Sequence, residues 1–362
     1  MSAQPDRRLQ AGPERSRLAL VLLGTGGVGR ALLGRLAGCP EPMLRLVGVA
    51  DSRQQLAVAE GIAIDEVLPR LGTQAAGRSD SALLAALDQG AALHRVIVDA
   101  TASESMARKH PAWLAQGYHV VTANKWLNGG SQADWQAIRQ AAHAGSTCYG
   151  QSATVGAGLP VIDTLARWHS SGDTPDSIEG VFSGSLSWLF NTWDGREPFS
   201  HLLERARTAG YCEPDPRQDL SGADVARKLL ILARSAGLEL ALEQIAVENL
   251  VPEPLRHVTA ASFRAEPGRL DAALAARHEQ SSRHGRVLRY LARLDADGAR
   301  IGLVAVDSDH PAARLRGTEN LFVLSSARYR DPPLVIRGPG AGAEVTAQAL
   351  LADVCRVGRL GG

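Results

Sequence analysis

Cysteine is scarce in this 362-residue chain, with four residues, Cys39, Cys148, Cys212 and Cys355, and no CxxC pair or Cys/His cluster. That pattern excludes a disulfide framework and a zinc site, and it suits a reducing compartment. Charge imbalance is missing too. With 39 Lys+Arg against 38 Asp+Glu, no global field draws the chain to nucleic acid or an anionic membrane, which leaves a small molecule as the expected partner. No stretch of about 18 uninterrupted apolar residues occurs, and the first 17 residues lack the apolar core of a signal peptide. These absences predict a cytoplasmic protein that is neither exported nor membrane-spanning. There is no internal repeat.

What is present is an ordinary globular composition, 45% hydrophobic and 21% charged, in a chain long enough to split into two cores. Residues 1–16, rich in charge with Pro5, Gly12 and Pro13, read as a disordered tail. From residue 18 the run Leu-Ala-Leu-Val-Leu-Leu suits a strand buried on both faces of a parallel sheet, and similar runs follow at 44–50, 95–100 and 119–122. Helices fit at 31–36, 81–87, 105–116 and 132–144, with a short strand at 147–150. The alternation predicts a Rossmann-type doubly wound α/β domain over 17–150.

Near residue 151 the texture changes to an α+β domain over 151–336. Its strands are expected at 178–183 and 301–306, its helices at 199–209 and 223–236, and surface helix or loop at 266–285. Residues 337–362, glycine-rich and then helical in period at 345–357, form a C-terminal segment returning to the first domain.

The first strand runs into Gly24-Thr25-Gly26-Gly27-Val28-Gly29, a GxGxxG turn between strand and helix, the context this motif needs to cradle a dinucleotide pyrophosphate. Asp51 ends the second strand about twenty residues on, placed to accept from the ribose hydroxyls of NAD, although aspartate also caps turns. Ser52 and Arg53 follow and suit the 2′-phosphate of NADP, so both cofactors stay open, with a slight lean to NADP or dual use through Arg53. Thr101 and Ser103 follow the third strand and Lys125 the fourth, all at the carboxyl end of the sheet.

The densest chemistry lies between Gly210 and Lys228, where Glu213, Asp215, Asp219 and Asp224 fall within twelve positions. Pro214 and Pro216 stiffen the segment, Ser221 is the expected N-cap of the next helix, and Asp224 stands at its third position. Asp224 and Lys228, four apart, share a helix face, as a surface ion pair or as a pair facing a substrate. Cys212 sits among the acids, where packing or oxidation sensitivity are the alternatives.

Taken together, these segments resemble the homoserine dehydrogenase family, in particular the dehydrogenase portion of bifunctional aspartokinase–homoserine dehydrogenases. The matching runs are Gly24 to Gly29, Val98-Asp99-Ala100-Thr101, His119 to Lys125, Ala153-Thr154-Val155-Gly156-Ala157-Gly158-Leu159-Pro160, Phe182-Ser183-Gly184-Ser185-Leu186-Ser187, Gly210 to Lys228, and Gly338-Pro339-Gly340-Ala341-Gly342. The resemblance covers nearly everything after residue 17. It implies NAD(P)H-dependent reversible reduction of L-aspartate 4-semialdehyde to L-homoserine in threonine and methionine biosynthesis. It implies Lys228 and Lys125 as catalytic residues, and Glu213, Asp219 and Asp224 binding the substrate amino group or orienting the lysine. Tyr211, Gly184 and Ser185 would line the pocket, with Thr101 and Gly340 at the cofactor.

The resemblance also implies a homodimer through the second lobe. A monovalent cation such as sodium would be held by the carbonyls of Val155, Ala157 and Leu159, with Ser152 where the family often has Glu. At 362 residues no room is expected for an aspartokinase or an added regulatory domain. Aldehyde reduction needs a hydride donor, a cation for the nascent alkoxide and an acid, a list met by a nicotinamide and two lysines. The competing readings are another NAD(P)-linked semialdehyde reductase on the same scaffold and a non-catalytic dinucleotide sensor. A sensor would need neither lysine.

Overall fold

The computed structural model describes residues 17–39, 44–90, 92–266 and 268–360, so the expected tail at 1–16 lies outside them. The first lobe is built on β1 (Leu18–Leu23), α1 (Gly27–Ala37), β2 (Leu44–Ala50), β3 (Gln54–Ala57), α2 (Val67–Thr73), β4 (Ala76–Gly77) and α3 (Asp80–Gln89). It continues with β5 (His94–Asp99), α4 (Glu104–Ala107), α5 (His110–Ala115), β6 (His119–Thr122), α6 (Gln132–Ala144) and β7 (Tyr149–Gly150). The sheet order is β4-β3-β2-β1-β5-β6-β7, with β2, β1, β5, β6 and β7 parallel.

All six residues of β1 are buried, and the period of two sends them to opposite sides. Leu18, Leu20 and Leu22 join the cluster with α1, while Ala19, Val21 and Leu23 join the one with α3 and α5. A strand covered on both faces reads as a continuous apolar run, which is why it was legible. The antiparallel strands β3 and β4 were not expected. Their residues, among them the buried Gln55 that accepts from the Ser79 N–H, carry no apolar alternation. The single helix expected at 105–116 is two, because Pro111 enters at the first turn of α5, where its missing N–H costs nothing.

The second lobe holds α7 (Val161–Ser170), β8 (Pro175–Val181), α8 (Gly184–Thr192), α9 (Phe199–Thr208), α10 (Arg217–Leu220), α11 (Ala223–Ser235), β9 (Ile245–Val247) and α12 (Ala260–Ala265). After these come α13 (Gly268–Arg283), β10 (Val287–Asp295), β11 (Gly298–Val306), β12 (Glu319–Ser326), β13 (Leu334–Pro339) and α14 (Ala343–Gly358). Six strands form a largely antiparallel sheet, β13-β12-β8-β10-β11-β9, in which only β9 and β11 run parallel. One core joins this sheet to α7, α8 and α11, with Phe182 stacked on Phe322 at 4.9 Å between centroids.

Helix α14 crosses back to pack on α1, and its Ala347, Leu350, Val354 and Val357 enter the core that holds Leu18, Leu20 and Leu22. The first lobe therefore depends on the end of the chain. Leu350→Ala, which empties a fully buried site, is expected to cost about 2–5 kcal/mol of stability in urea denaturation. A loss below about 1 kcal/mol would show that α14 is not an integral part of that core.

Candidate functional site

The carboxyl ends of β1, β2 and β5 open on a cleft of about 840 Å³ lined by Gly24, Thr25, Gly26, Asp51, Ser52, Thr101 and Ser103, among others. Gly24 has φ 98°, and a Cβ there would come within 3.0 Å of the Ala100 carbonyl oxygen. At Gly29 a Cβ would lie 1.9 Å from the Gly24 oxygen, so only glycine lets α1 start against the turn. Gly26 has open space before it, as a site of backbone approach requires. Gly27 and Val28 begin α1 behind it, and no acid stands in that first turn to compete for an anion.

Asp51 combines both roles considered for it. Its Oδ1 accepts the N–H groups of Arg53 and Gln54 at 2.7 and 2.9 Å, capping a turn, while the residue still faces the cleft. Arg53, by contrast, is exposed and not part of the cleft wall. The basic groups there are Arg78 and Lys109, both bonded to Asp80. Arg78 also donates to the Asp51 carbonyl at 2.9 Å. Burial would raise the Asp80 carboxyl, but its bonds to Lys109 and Arg78 prevail and hold it below its ordinary value. Because β3 and β4 return Arg78 to the end of β2, a residue 27 positions past Asp51 stands in the cleft wall where adjacency suggested Arg53.

Thr101 and Ala102 also line a second cavity, of about 430 Å³, so the two spaces adjoin. Its wall carries Asn124, Lys125 and Trp126 from the first lobe and Glu213, Asp219, Asp224 and Arg227 from the second. Asp224 joins them: one carboxylate oxygen lies 3.5 Å from Lys125 Nζ and the other 2.8 Å from Lys228 Nζ. Lys228 stands just behind this wall with 13% of its side chain exposed and donates to the Phe182 carbonyl at 2.9 Å. Burial would raise the Asp224 carboxyl, yet Lys228 and then Lys125 outweigh it and hold it well below the carboxylate range. Burial lowers the Lys125 ammonium below an ordinary lysine, against the pull of Asp224.

The acid segment is sorted by its partners. Asp215 faces Arg217, whose guanidinium also donates to the Val258 carbonyl. Asp219 accepts from Ser185 Oγ at 2.6 Å and from the Glu213 N–H at 2.9 Å. Among the described residues the Glu213 carboxylate has neither ion pair nor hydrogen bond, and it faces the cavity. Burial, with Asp219 and Glu213 beside it, pushes the Cys212 thiol up to about 12, which keeps it neutral and favours the packing role. The N-cap of α11 is Gly222, at φ 74°, and not Ser221, which instead donates to the Gln218 carbonyl at the end of α10. A Cβ at 222 would strike the Tyr290 hydroxyl at 2.2 Å, which explains the glycine.

Two residues expected in the pocket, Tyr211 and Gly184, and one expected at the cofactor, Gly340, stand outside the walls of both cavities. Tyr211 is 44% exposed and stacks on Trp188, outside the cavity wall. Gly184 opens α8 beside the Thr318 carbonyl, and the neighbouring Ser183 lines the cavity instead. Gly340 packs on the Asn320 amide, where a Cβ would lie 2.0 Å from Cγ, so close packing accounts for this glycine. Beneath the cavity lies a group not singled out in the sequence. The fully buried Asp99 accepts from the Thr101 N–H and hydroxyl at 2.9 and 2.7 Å, from Asn124 at 3.1 Å and from His110 at 3.0 Å. Both loops of the first lobe that reach the site are thereby tied to one carboxylate.

The loop expected to hold a cation is buried at Val155 and Ala157, with positive φ at Gly156 and Ala157. Ser152 donates both its N–H and its hydroxyl to Asp353, at 2.9 and 2.8 Å. Asp353 and Asp163 are each 2.8 Å from Arg356. The two carboxylates near Ser152 thus share one guanidinium, and the carbonyls of Val155, Ala157 and Leu159 are neutral donors. No group of three or more His, Cys, Asp or Glu suited to a metal occurs among the described residues. What this loop itself offers a monovalent cation is those neutral carbonyls, with Ser152 where a carboxylate would stand.

A glycine turn on a Rossmann-type sheet, opening into a cavity with paired lysines, defines an NAD(P)-dependent oxidoreductase. The family model for homoserine dehydrogenase matches residues 160–355, and that for its NAD binding domain matches residues 24–149. The chain belongs to the homoserine dehydrogenase family. It is 36% identical to the homoserine dehydrogenase of Emericella nidulans, over 93% of this chain and 97% of that one. It is 40% identical to bifunctional aspartokinase/homoserine dehydrogenase 1 of Zea mays, over 95% of this chain but 38% of the maize protein's length. In structure it resembles a Candida auris protein of unknown function, with TM-score 0.88 and 33% identity over 94% of this chain and 98% of that one. The fold is shared with a hyperthermophilic archaeal homoserine dehydrogenase in complex with NADPH, at TM-score 0.72 and 19% identity over 94% and 97% of the chains.

Gly29→Ala is expected to force the turn open and abolish NADPH binding followed by nicotinamide fluorescence. Native affinity in that variant would mean the dinucleotide sits elsewhere.

Proposed function

We propose that this chain catalyses the reversible NAD(P)-linked reduction of L-aspartate 4-semialdehyde to L-homoserine, with Lys125 and Lys228 as its catalytic residues. The observation carrying this reading is that two amines from different lobes converge on one carboxylate beside the glycine-turn cleft. The reduced nicotinamide, when bound, supplies the hydride that adds to the aldehyde carbon. Lys228, paired with Asp224 and held by the Phe182 carbonyl, keeps a fixed positive charge for the developing alkoxide. Lys125, whose pKa is lowered by burial, gives the alkoxide a proton, and in the oxidation direction takes that proton back from the hydroxyl. Glu213, whose carboxylate has no partner among the described residues, receives the substrate ammonium, and Asp219 orients the segment that carries it.

At the other end of the cleft, Arg78 and Lys109 suit the 2′-phosphate of NADP, and Asp51 suits a free ribose, which keeps both cofactors within reach. A homodimer through the second lobe draws support from Val287 and Val304, 37% and 44% exposed on the sheet face turned away from α8 and α11. Cytoplasmic residence is consistent with free thiols at Cys39, Cys148 and Cys212 and with no described helix long and apolar enough to cross a membrane.

Lys228→Ala is expected to reduce homoserine oxidation by about 10³-fold or more, with NADPH binding retained. Near-native turnover would remove Lys228 from the mechanism. Oxidation needs Lys125 neutral, so its rate is expected to rise with pH through a pKa below that of an ordinary lysine, while aldehyde reduction falls over the same range. An oxidation maximum near pH 6 would contradict this assignment. Arg78→Ala is expected to weaken NADPH binding by about 10-fold or more while sparing NADH, whereas Arg53→Ala changes neither. Equal losses for the two cofactors would make Arg78 a structural residue only.

A further inference from the structure

The substrate proposed above carries an ammonium, a hydroxyl or aldehyde, and a carboxylate. Glu213 answers the first and the two lysines the second, which leaves the carboxylate without a named receptor. Arg227 stands three residues after Asp224 on α11, so the two are neighbours on the helix surface and line the same cavity. Both oxygens of Asp224 are engaged by the lysines, and among the described residues no carboxylate lies within ion-pair distance of Arg227. Its guanidinium lies over the Trp126 ring at 4.4 Å from the centroid.

That contact engages the face of the guanidinium. The N–H groups lie in its plane and point outward from its edge, so stacking orients them without consuming them. The platform is itself fixed, because the Trp126 indole N–H donates to the Ala102 carbonyl at 3.1 Å. The stem is hemmed in as well: a Cβ on Gly129 would lie 3.2 Å from Arg227 Cβ. A planar fork of donors, held rigid at a cavity wall, is suited to a carboxylate taken edge-on. With Asp224 shared by the two lysines, the cavity offers a ligand one uncommitted anion, Glu213, and one uncommitted guanidinium, Arg227. This is the complement of an α-amino acid zwitterion.

We propose that Arg227 binds the substrate's α-carboxylate and so makes the site selective for an amino-acid alcohol over the corresponding amino alcohol; this rests on the reaction proposed above. The carboxylate is thereby kept from pairing with Lys125 or Lys228, which stay available to the reacting oxygen.

The test compares wild type, Arg227→Met and Arg227→Lys on L-homoserine, and measures 3-aminopropan-1-ol, which lacks only the carboxylate, by its inhibition constant against homoserine. Arg227→Met is expected to lower kcat/KM for homoserine about 10- to 100-fold, mainly through KM, with the inhibition constant of the amino alcohol unchanged. Arg227→Lys, which keeps the charge and loses the fork, is expected to fall between. NADPH affinity in Arg227→Met, read by fluorescence, is expected to stay native. Equal weakening of both ligands, or loss of NADPH binding, would reduce Arg227 to a latch on Trp126 and overturn the proposal, as would an unchanged homoserine KM. A wild-type enzyme that does not oxidise homoserine would overturn the reaction itself, an outcome visible before any variant is compared.

Discussion

Two ammonium groups repel, and the site requires them side by side. The Asp224 carboxylate resolves this by offering one oxygen to Lys125 and the other to Lys228, and its own acidity is the record of how strongly it is needed. In a partly desolvated cavity each of the three charges would be costly alone, whereas together they stabilise one another. Because Lys125 comes from one lobe and Lys228 from the other, the same triad also ties the lobes together at the cavity.

The rest of the architecture serves that meeting. Asp99 ends β5 with all its acceptor positions committed, so Thr101 and Asn124 are set from below before any ligand arrives. On the other side Lys228 is anchored through the Phe182 carbonyl, which also accepts from Asn320, and Asn320 in turn fills the space left by Gly340. Arg234 on the same helix reaches across to donate to the Asn128 carbonyl, and burial lowers its pKa to about 10. Helix α14 then closes the first core from the far end of the chain. Apart from α14, which acts through apolar packing, each support is a polar group with a partner on a different segment, the arrangement in which fixed dipoles stay aligned during reaction.

What could be read in advance follows the same physics. β1, β2, β5 and β6 announce themselves because a doubly covered strand must be apolar throughout, and the glycine turn does so because Gly24 and Gly29 leave no room for a side chain. β10 did not, since Leu291 interrupts the alternation of Leu288, Tyr290 and Ala292 with Arg289 and Arg293, and Arg289 is itself a buried guanidinium donating to the carbonyls of Phe190, Ala312 and Ala313. Arg78 was hidden by topology, because only the antiparallel turn through β3 and β4 returns it to Asp51. Ser221 had the chemistry of an N-cap, and its hydroxyl does accept from the Ala223 N–H while donating to the Gln218 carbonyl, but α10 ends on it and Gly222 takes the cap position of α11. In each case the missed feature depends on a contact between residues that local pattern treats as independent.

The acid segment shows most directly why composition alone does not assign a site. Four carboxylates in twelve positions look equivalent as letters. Folding gives three of them obligations: Asp215 to Arg217, Asp219 to Ser185 and the Glu213 N–H, and Asp224 to the two lysines. A carboxylate so engaged has already exchanged its water for protein donors and gains little from a further cation, whereas Glu213 has not made that exchange. Availability, more than proximity, therefore separates a residue that can receive a ligand from one that holds the receptor in shape. By the same criterion Arg227, with no carboxylate within ion-pair distance among the described residues, is a cation of the cavity that stays open to an anion.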